Sequence, residues 1–445
     1  MTQLNRKWTL MVYMAADNGK VFEEHGGKQL MYPMEEQGRK DLKKMEAIGS
    51  TEEVSVLVQF DTLSDRDHTY RIYIPNKGQE RETLYIPEQN TGDPTSLRDF
   101  IIWGVENYPA ENYAVVLWNH GTGWKEDDIY EFARSRGIPI QATEDEVRSV
   151  TRGHRRLSHA FFISSITEVL QIEDDESRGI AYDDSSLDFL DNAKLQQAFR
   201  EAEEKTGQKV SLIGMDACLM SMVEVAYQLR TNANYMVASQ ELEPMDGWPY
   251  TAILETLSQQ PEMTPAELSK LIVKEYGYYY DEQKNSMRGG EPKVTQSAAN
   301  LAMMENLAQA ISNLSNVLRQ LLAEKDIYVR VALGDAQRKA LRFHGDEDFV
   351  DLYDFVKHLR DEYGGDNKEF ITFVNEVINF IELTFEPQLI LANVASGVTR
   401  SGQKLSCARG LSIYLPANGC SQFYERSDFS SSGWGDFIKF HNGVN

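Results

Sequence analysis

Two short strings carry the side chains best suited to chemistry: Trp118-Asn119-His120-Gly121-Thr122-Gly123-Trp124 and Gly214-Met215-Asp216-Ala217-Cys218-Leu219-Met220. A cysteine is a strong nucleophile only as its thiolate, and an imidazole is a common acceptor of the thiol proton. Each string follows an apolar, β-branched run, Tyr113 to Leu117 and Val210 to Ile213, that reads as a buried strand. His120 and Cys218 are therefore expected at strand C-terminal ends, where open α/β sheets bind and transform their ligands. Leu219 to Glu224 reads as the start of a helix, whose positive end would favour the thiolate. His120 would take the thiol proton and later return it to a departing amine. Backbone N–H groups near Gly121 and Cys218 would hold an oxyanion, each worth about 2.7–4 kcal/mol. The competing reading is a buried structural cysteine and a histidine bonded to backbone.

The elements that would position this pair alternate along the first half of the chain. Strands are expected at Leu10–Met14, Val54–Phe60, Tyr70–Ile74, Ala114–Trp118, Val210–Gly214 and Tyr235–Ala238. Between them, Asp93-Pro94-Thr95-Ser96 reads as a helix N-cap with proline in the first turn, and Leu187 to Ala202 as a further helix. Strands apolar on both faces that alternate with helices predict a mostly parallel sheet sandwiched by helices, an α/β fold. Beyond Pro261 helical patterns dominate. Thr264-Pro265-Ala266-Glu267 is a capping box, and helices are expected over Leu301–Lys325, Phe349–Glu362 and Glu369–Thr384. Strand patterns return at Leu389–Val394 and Leu411–Leu415, pairing with each other or with the main sheet. The expected division is thus 1–260 and a mainly helical 261–445.

Composition narrows the function classes. The 445 residues carry 69 acidic and 45 basic side chains, a net charge of −24. Such a surface repels phosphates, so nucleic acid and anionic membranes are not expected partners, and a cationic substrate would be favoured. Three cysteines, Cys218, Cys407 and Cys420, make neither a disulfide framework nor a four-cysteine zinc site. No stretch reaches the roughly 20 apolar residues of a membrane span. Met1 to Trp8 lacks the build of a secretion signal, which makes a soluble, cytoplasmic protein the default expectation.

Asn119-His120-Gly121 and Asp216-Ala217-Cys218, with Tyr13-Met14-Ala15-Ala16-Asp17-Asn18, resemble the clostripain family of cysteine peptidases. Further matches are Gly179-Ile180-Ala181-Tyr182-Asp183-Asp184, Glu243-Pro244-Met245-Asp246-Gly247-Trp248-Pro249-Tyr250 and Ala408-Arg409-Gly410-Leu411-Ser412-Ile413-Tyr414-Leu415-Pro416. The resemblance spans nearly the whole chain and implies a caspase-like fold with a Cys–His dyad, here Cys218 and His120. Caspases place the histidine about 50 residues before the cysteine. Here the separation is 98, and setting aside the charged, irregular stretch Lys125–Ser177 leaves 45. The spacing fits a caspase-like core in residues 1–260, with an inserted activation loop at about 125–178.

The resemblance further implies cleavage after Arg or Lys in peptide and protein substrates, with Asp216 and Asp246 lining the pocket for the basic side chain. The plainer alternatives are a helix cap for Asp216 and a turn for Asp246. It also implies self-processing between the histidine and the cysteine, and Arg178-Gly179 stands at the matching position. Arg134, Arg136, Arg148, Arg152, Arg155 and Arg156 offer other cut sites in the insertion. The chain departs from the family pattern there and in the longer stretch 19–38, for which no role is assigned. No metal site is read from the sequence and no cofactor is expected. Calcium stays possible without an assigned site, the run Glu173-Asp174-Asp175-Glu176 reading as solvated surface. A catalytically silent peptide-binding or scaffold protein of the same fold is the alternative function, and an acyl transferase a third. Oligomeric state is left open.

Overall fold

The computed structural model describes residues 6–17, 20–24, 27–31, 33–119, 190–283, 292–343, 348–382, 387–399, 401–421, 424–425 and 427–443. Its strands are β1 (Arg6–Ala16), β2 (Lys20–Glu24), β3 (Gly27–Met31), β4 (Val54–Thr62), β5 (His68–Tyr73), β6 (Glu82–Pro87) and β7 (Ala110–Trp118). There follow β8 (Val210–Asp216), β9 (Ala233–Ala238), β10 (Val294–Asn300), β11 (Phe349–Asp351), β12 (Ile390–Ser396) and β13 (Ser412–Tyr414). Nine of them form one sheet in the order β12-β10-β9-β8-β7-β1-β4-β5-β6. Its centre, β9-β8-β7-β1-β4, is parallel, and antiparallel strands complete both flanks.

The parallel centre follows from the residue pattern. β8 and all of β4 are buried, and apolar side chains alternate between the two faces. Met11, Tyr13, Val115, Leu117, Ile213 and Met215 point into one core, with the helices Pro94–Asn107, Asn192–Thr206 and Met304–Ala323. Leu10, Val12, Val116, Trp118 and Leu212 point into the other, with Pro33–Glu46, Tyr250–Gln259 and Pro265–Gln283. Each parallel crossover therefore lays a helix over one face, as a doubly covered sheet requires. The caps read from sequence form as expected: Asp93 Oδ1 accepts from Thr95 N at 2.8 Å, and Glu267 Oε2 accepts from Thr264 N at 2.8 Å.

Beyond Pro261 the sheet continues. β10 and β12 pair with each other and join the main sheet through β9, so the last strands divide. β13 instead pairs with β11, a short strand that opens the stretch expected as pure helix before Leu352–Asp361 takes over. β2 and β3 form a hairpin in the stretch 19–38. Among the described residues, no helix is long and apolar enough to cross a membrane.

Candidate active site

β7 and β8 are parallel neighbours with Trp118 opposite Asp216, so the chain leaves both strands at the same end. Asn119 is held there, its N–H donating to Asp216 O at 3.3 Å and its Nδ2 to Ala15 O at 2.5 Å. His120 and Gly121, the next residues, lie outside the described residues, as do Arg178 and Gly179.

Cys218 sits two residues past β8, 8% exposed. The helix expected at Leu219 starts only at Val223 and runs to Gln228. Cys218 therefore does not stand at a helix end, and the dipole expected to help its thiolate is not the device used. Leu219 instead takes a left-handed conformation, φ 60°. That geometry is uncommon for a bulky residue, costs of order 1–3 kcal/mol, and persists only where surroundings impose it. They do so here: Leu219 N donates to Glu241 O at 3.2 Å and Ser221 N to Ser239 O at 2.8 Å. On the far side, Ser221 Oγ donates to Gly410 O at 2.6 Å, and Ser412 N to Ser221 O at 2.9 Å. The turn aims Sγ at the 243–247 loop, where Glu243 N donates to it at 3.2 Å. An N–H directed at sulfur is a contact that a thiolate accepts more strongly than a thiol.

Beneath the sulfur lies a small cavity of about 40 Å³, bounded by Cys218, Asp216, Glu243, Trp118, Met245 and Gly247 among others. Asp216, the last residue of β8, is 4% exposed. Its Oδ2 accepts from Tyr250 OH at 2.7 Å and Trp248 N at 3.3 Å. Gly247 has φ 56°, and a Cβ there would come 2.9 Å from Asp216 Oδ1, so only glycine lets the loop close over this carboxylate. Asp41, wholly buried, accepts from Trp118 Nε1 at 2.9 Å and pairs with Lys44 at 2.6 Å. Glu243 Oε1 accepts from Gln296 Nε2 at 3.2 Å.

Two carboxyls, Asp216 and Glu243, thus line the cavity, and a third, Asp41, lies close enough to feel the Asp216 charge and is paired with the Lys44 ammonium. Burial raises all three, and mutual repulsion adds to it for two. Asp41 is pushed up to about 6 by burial and by the nearby Asp216 charge. Asp216 is raised by burial, against the hydrogen bonds it receives. Glu243 is raised well above its ordinary value, by burial and then by the Asp216 charge beside it. A cation entering the cavity would relieve that repulsion.

Asp246 is placed differently. Its carboxyl lies at the outer side of the loop, 3.5 Å from Tyr279 OH, while its backbone O accepts from Lys44 Nζ at 2.6 Å. Asp216 and Cys218 are therefore brought together and Asp246 borders the site from behind. Sequence reasoning missed Asp41 and Glu243. Asp41 carries Lys44 three residues on, which looks like a surface pair, and Glu243 stood inside a quoted motif without a role. Among the described residues one further carboxylate group, Asp17, Asp61 and Glu88, has oxygens within 4.8 Å of one another. The Glu173–Glu176 run lies outside the described residues.

Comparison with known proteins agrees with this geometry. The sequence profile of the clostripain family (peptidase C11) matches residues 12–146 and 168–440. Clostripain from Hathewaya histolytica is 29% identical over 188 residues, 41% of this chain. That alignment spans 27% of the relative's length, little more than a quarter. In fold, the chain is similar to a secreted C11 cysteine protease from Bacteroides thetaiotaomicron solved with an irreversible peptide inhibitor. The TM-score is 0.62 at 17% identity, over 96% of this chain and 99% of that one. It is also similar to an inactive zymogen C11 protease from Parabacteroides distasonis, with TM-score 0.59 at 16% identity over 97% and 99%. The sheet order, the cysteine turn after β8 and a profile match over most of the chain together place it: the protein belongs to the clostripain family and has its caspase-like fold.

Proposed function

We propose that the protein is a cysteine endopeptidase that cleaves peptides and proteins after Arg, and after Lys more weakly. The observation that carries this reading is that Asp216 and Glu243 line the same cavity as Cys218, with Asp41 behind them through Trp118. Carboxylates select a guanidinium through charge-assisted, often bidentate hydrogen bonds, and an ammonium meets them only as a point charge. Cys218 Sγ attacks the carbonyl carbon of the scissile bond, forming a C–S bond as the carbonyl π-pair moves to oxygen. The N–H groups of Gly121 and Cys218 hold that oxyanion. The C–N bond then breaks, the amine leaving with a proton from His120, and water activated by the same imidazole hydrolyses the thioester. This chemistry needs no cofactor.

The cavity, about 40 Å³, is small and bordered by the 243–247 loop, so a basic side chain entering it would lie against Asp216 and Glu243. In this reading the chain matures by self-processing at Arg178-Gly179 or after another arginine of the insertion. The test compares purified wild type with Cys218→Ala by intact mass and N-terminal sequencing, then assays an Arg-ended fluorogenic peptide. A new terminus at Gly179 and turnover in the wild type alone are expected. Two intact, inactive proteins would leave a peptide-binding protein of the same fold.

A further inference from the structure

β12 is the outer strand of the large sheet among the described residues, paired with β10 on one side. Half of an edge strand's backbone groups face away from its neighbour and can template another chain. A groove of about 700 Å³ runs along this edge, with Ala392 to Ser396 as its floor. The helix Pro265–Gln283 forms one wall, presenting Lys270, Lys274 and Tyr278, and Lys404 and Ser406 stand on the other. Gly277 brings the helix close: a Cβ there would lie 3.0 Å from Val394 Cγ1. Among the described residues none of the three lysines is in an ion pair, and Lys274 Nζ lies 5.3 Å from the Tyr278 ring centroid. Asp281 is the acid that lines the groove. In a chain of net charge −24, this is a local reversal of sign.

We propose that this groove is an exosite that takes an extended, acidic segment of the protein substrate as an additional strand beside β12. It rests on the peptidase reading and adds a substrate class to it: proteins that carry an acidic stretch near the basic residue. Main-chain hydrogen bonds to β12 supply register, while acidic side chains at alternate positions, all on one face of the added strand, meet Lys270 and Lys274 on the helix wall, and Lys404 adds positive charge from the other wall. The placement suits one substrate reaching both sites. Through the pairs Gly214–Val237, Ala238–Ser297 and Val294–Ser396, the Ser396 end of β12 lies at the Cys218 end of the sheet. A strand added beside β12 lies four strand spacings from β8, roughly 19 Å, which about six extended residues span. Ala395 packs against the small cluster that contains Cys218, Leu405 and Ala408. A second copy of this chain is the poorer occupant, because two-fold pairing of β12 with itself would set like charges face to face.

The test uses Cys218→Ala protein and a fluorescein-labelled peptide of alternating Glu and Val, about eight residues long, followed by anisotropy. Expected are binding weakened by salt, at least roughly tenfold weaker binding of the Gln–Val counterpart, and loss of binding when alternate amides are N-methylated. The combined Lys270→Glu, Lys274→Glu and Lys404→Glu variant should lose roughly tenfold or more. In the wild type, a long peptide joining the acidic stretch to an Arg site should be cut more efficiently than the short Arg-ended peptide, an advantage the triple variant lacks. Equal binding of the Gln–Val peptide, or indifference to charge reversal or to N-methylation, overturns the proposal. So does a wild-type dimer that the triple variant dissolves in sedimentation velocity, which would make the groove a contact between copies. If the short peptide is cut and the long one gains nothing, the exosite alone falls. If the wild type cuts neither, the peptidase reading has failed and takes the substrate assignment with it.

Discussion

Glu224 and Asp351 are as deeply buried as Asp216, yet they keep different company. Glu224 Oε1 accepts from Tyr414 N at 3.0 Å and Tyr424 OH at 3.3 Å, and Asp351 from Arg409 N, Gln240 Nε2 and Asp354 N at 2.7–2.9 Å. Neutral donors from distant stretches converge on each of these carboxyls, so each ties residues 405–424 to the region around the cysteine turn. Around Asp216 the donors are joined by two further acids. A buried carboxyl surrounded by donors is a staple, whereas buried carboxyls set against one another store a demand for positive charge. The comparison separates carboxyls whose partners the fold supplies from carboxyls set beside like charge.

Substitution at Asp216 should expose the difference most strongly. Asp216→Asn is expected to lower kcat/KM for an Arg-ended peptide roughly 100-fold or more, since breaking a buried charge pair costs about 3–5 kcal/mol. A citrulline-ended peptide, which has the shape without the charge, should lose far less. Equal losses on the two peptides would make Asp216 another staple. The staple reading of Glu224 is checked by pH. Burial pushes its carboxyl up to about 7 from an ordinary 4.5, so the folded state holds the proton more tightly than the unfolded chain. Its contribution to stability is complete below pH 4.5 and is lost as pH rises towards 7, a change of order 3 kcal/mol. Glu224→Gln should therefore match wild type in thermal unfolding at the acid end and exceed it at pH 8. A stability difference that stays constant over that range would sink the assignment.

Asp351→Ala removes a helix N-cap and two further hydrogen bonds, and should cost about 1–3 kcal/mol in denaturant unfolding. The preference for Arg over citrulline should be unchanged in any protein that stays folded. A shift in that preference would blur the line between the two groups. The smallest effect is expected at Asp246. Its carboxyl faces Tyr279 at the back of the loop, and Asp246→Asn should alter kcat/KM only about two- to threefold. A loss as large as that at Asp216 would mean that the loop turns over to bring Asp246 into the pocket when substrate binds.

The central strands were legible because burial on both faces leaves continuous apolar runs, as at Leu10–Met14 and Val54–Phe60. β10 was not, although all seven of its residues are buried. Its sequence, Val-Thr-Gln-Ser-Ala-Ala-Asn, is polar because Thr295, Gln296 and Ser297 bond to the 240–243 loop and to Gly410. β6 was missed for the opposite reason: it is a largely exposed flank whose apolar run, Leu84-Tyr85-Ile86, is only three residues long. At the site, Cys218 was readable from its place after a strand, whereas Asp216 was singled out only through the family resemblance. Asp41 comes near the site only through Trp118, which approaches from β7, and no local pattern encodes that meeting.

The seam between β7 and β8 has a consequence of its own. Residues 114–118 and 212–216 pair directly, although some ninety residues of chain run between the two strands. β1 also lies against β7, and the helices Pro94–Asn107 and Asn192–Thr206 pack together over the same seam. A chain broken between these strands keeps every one of those contacts. Its two pieces would travel as one particle on a native gel and part only in denaturant, so the halves, made as separate polypeptides, are candidates for complementation.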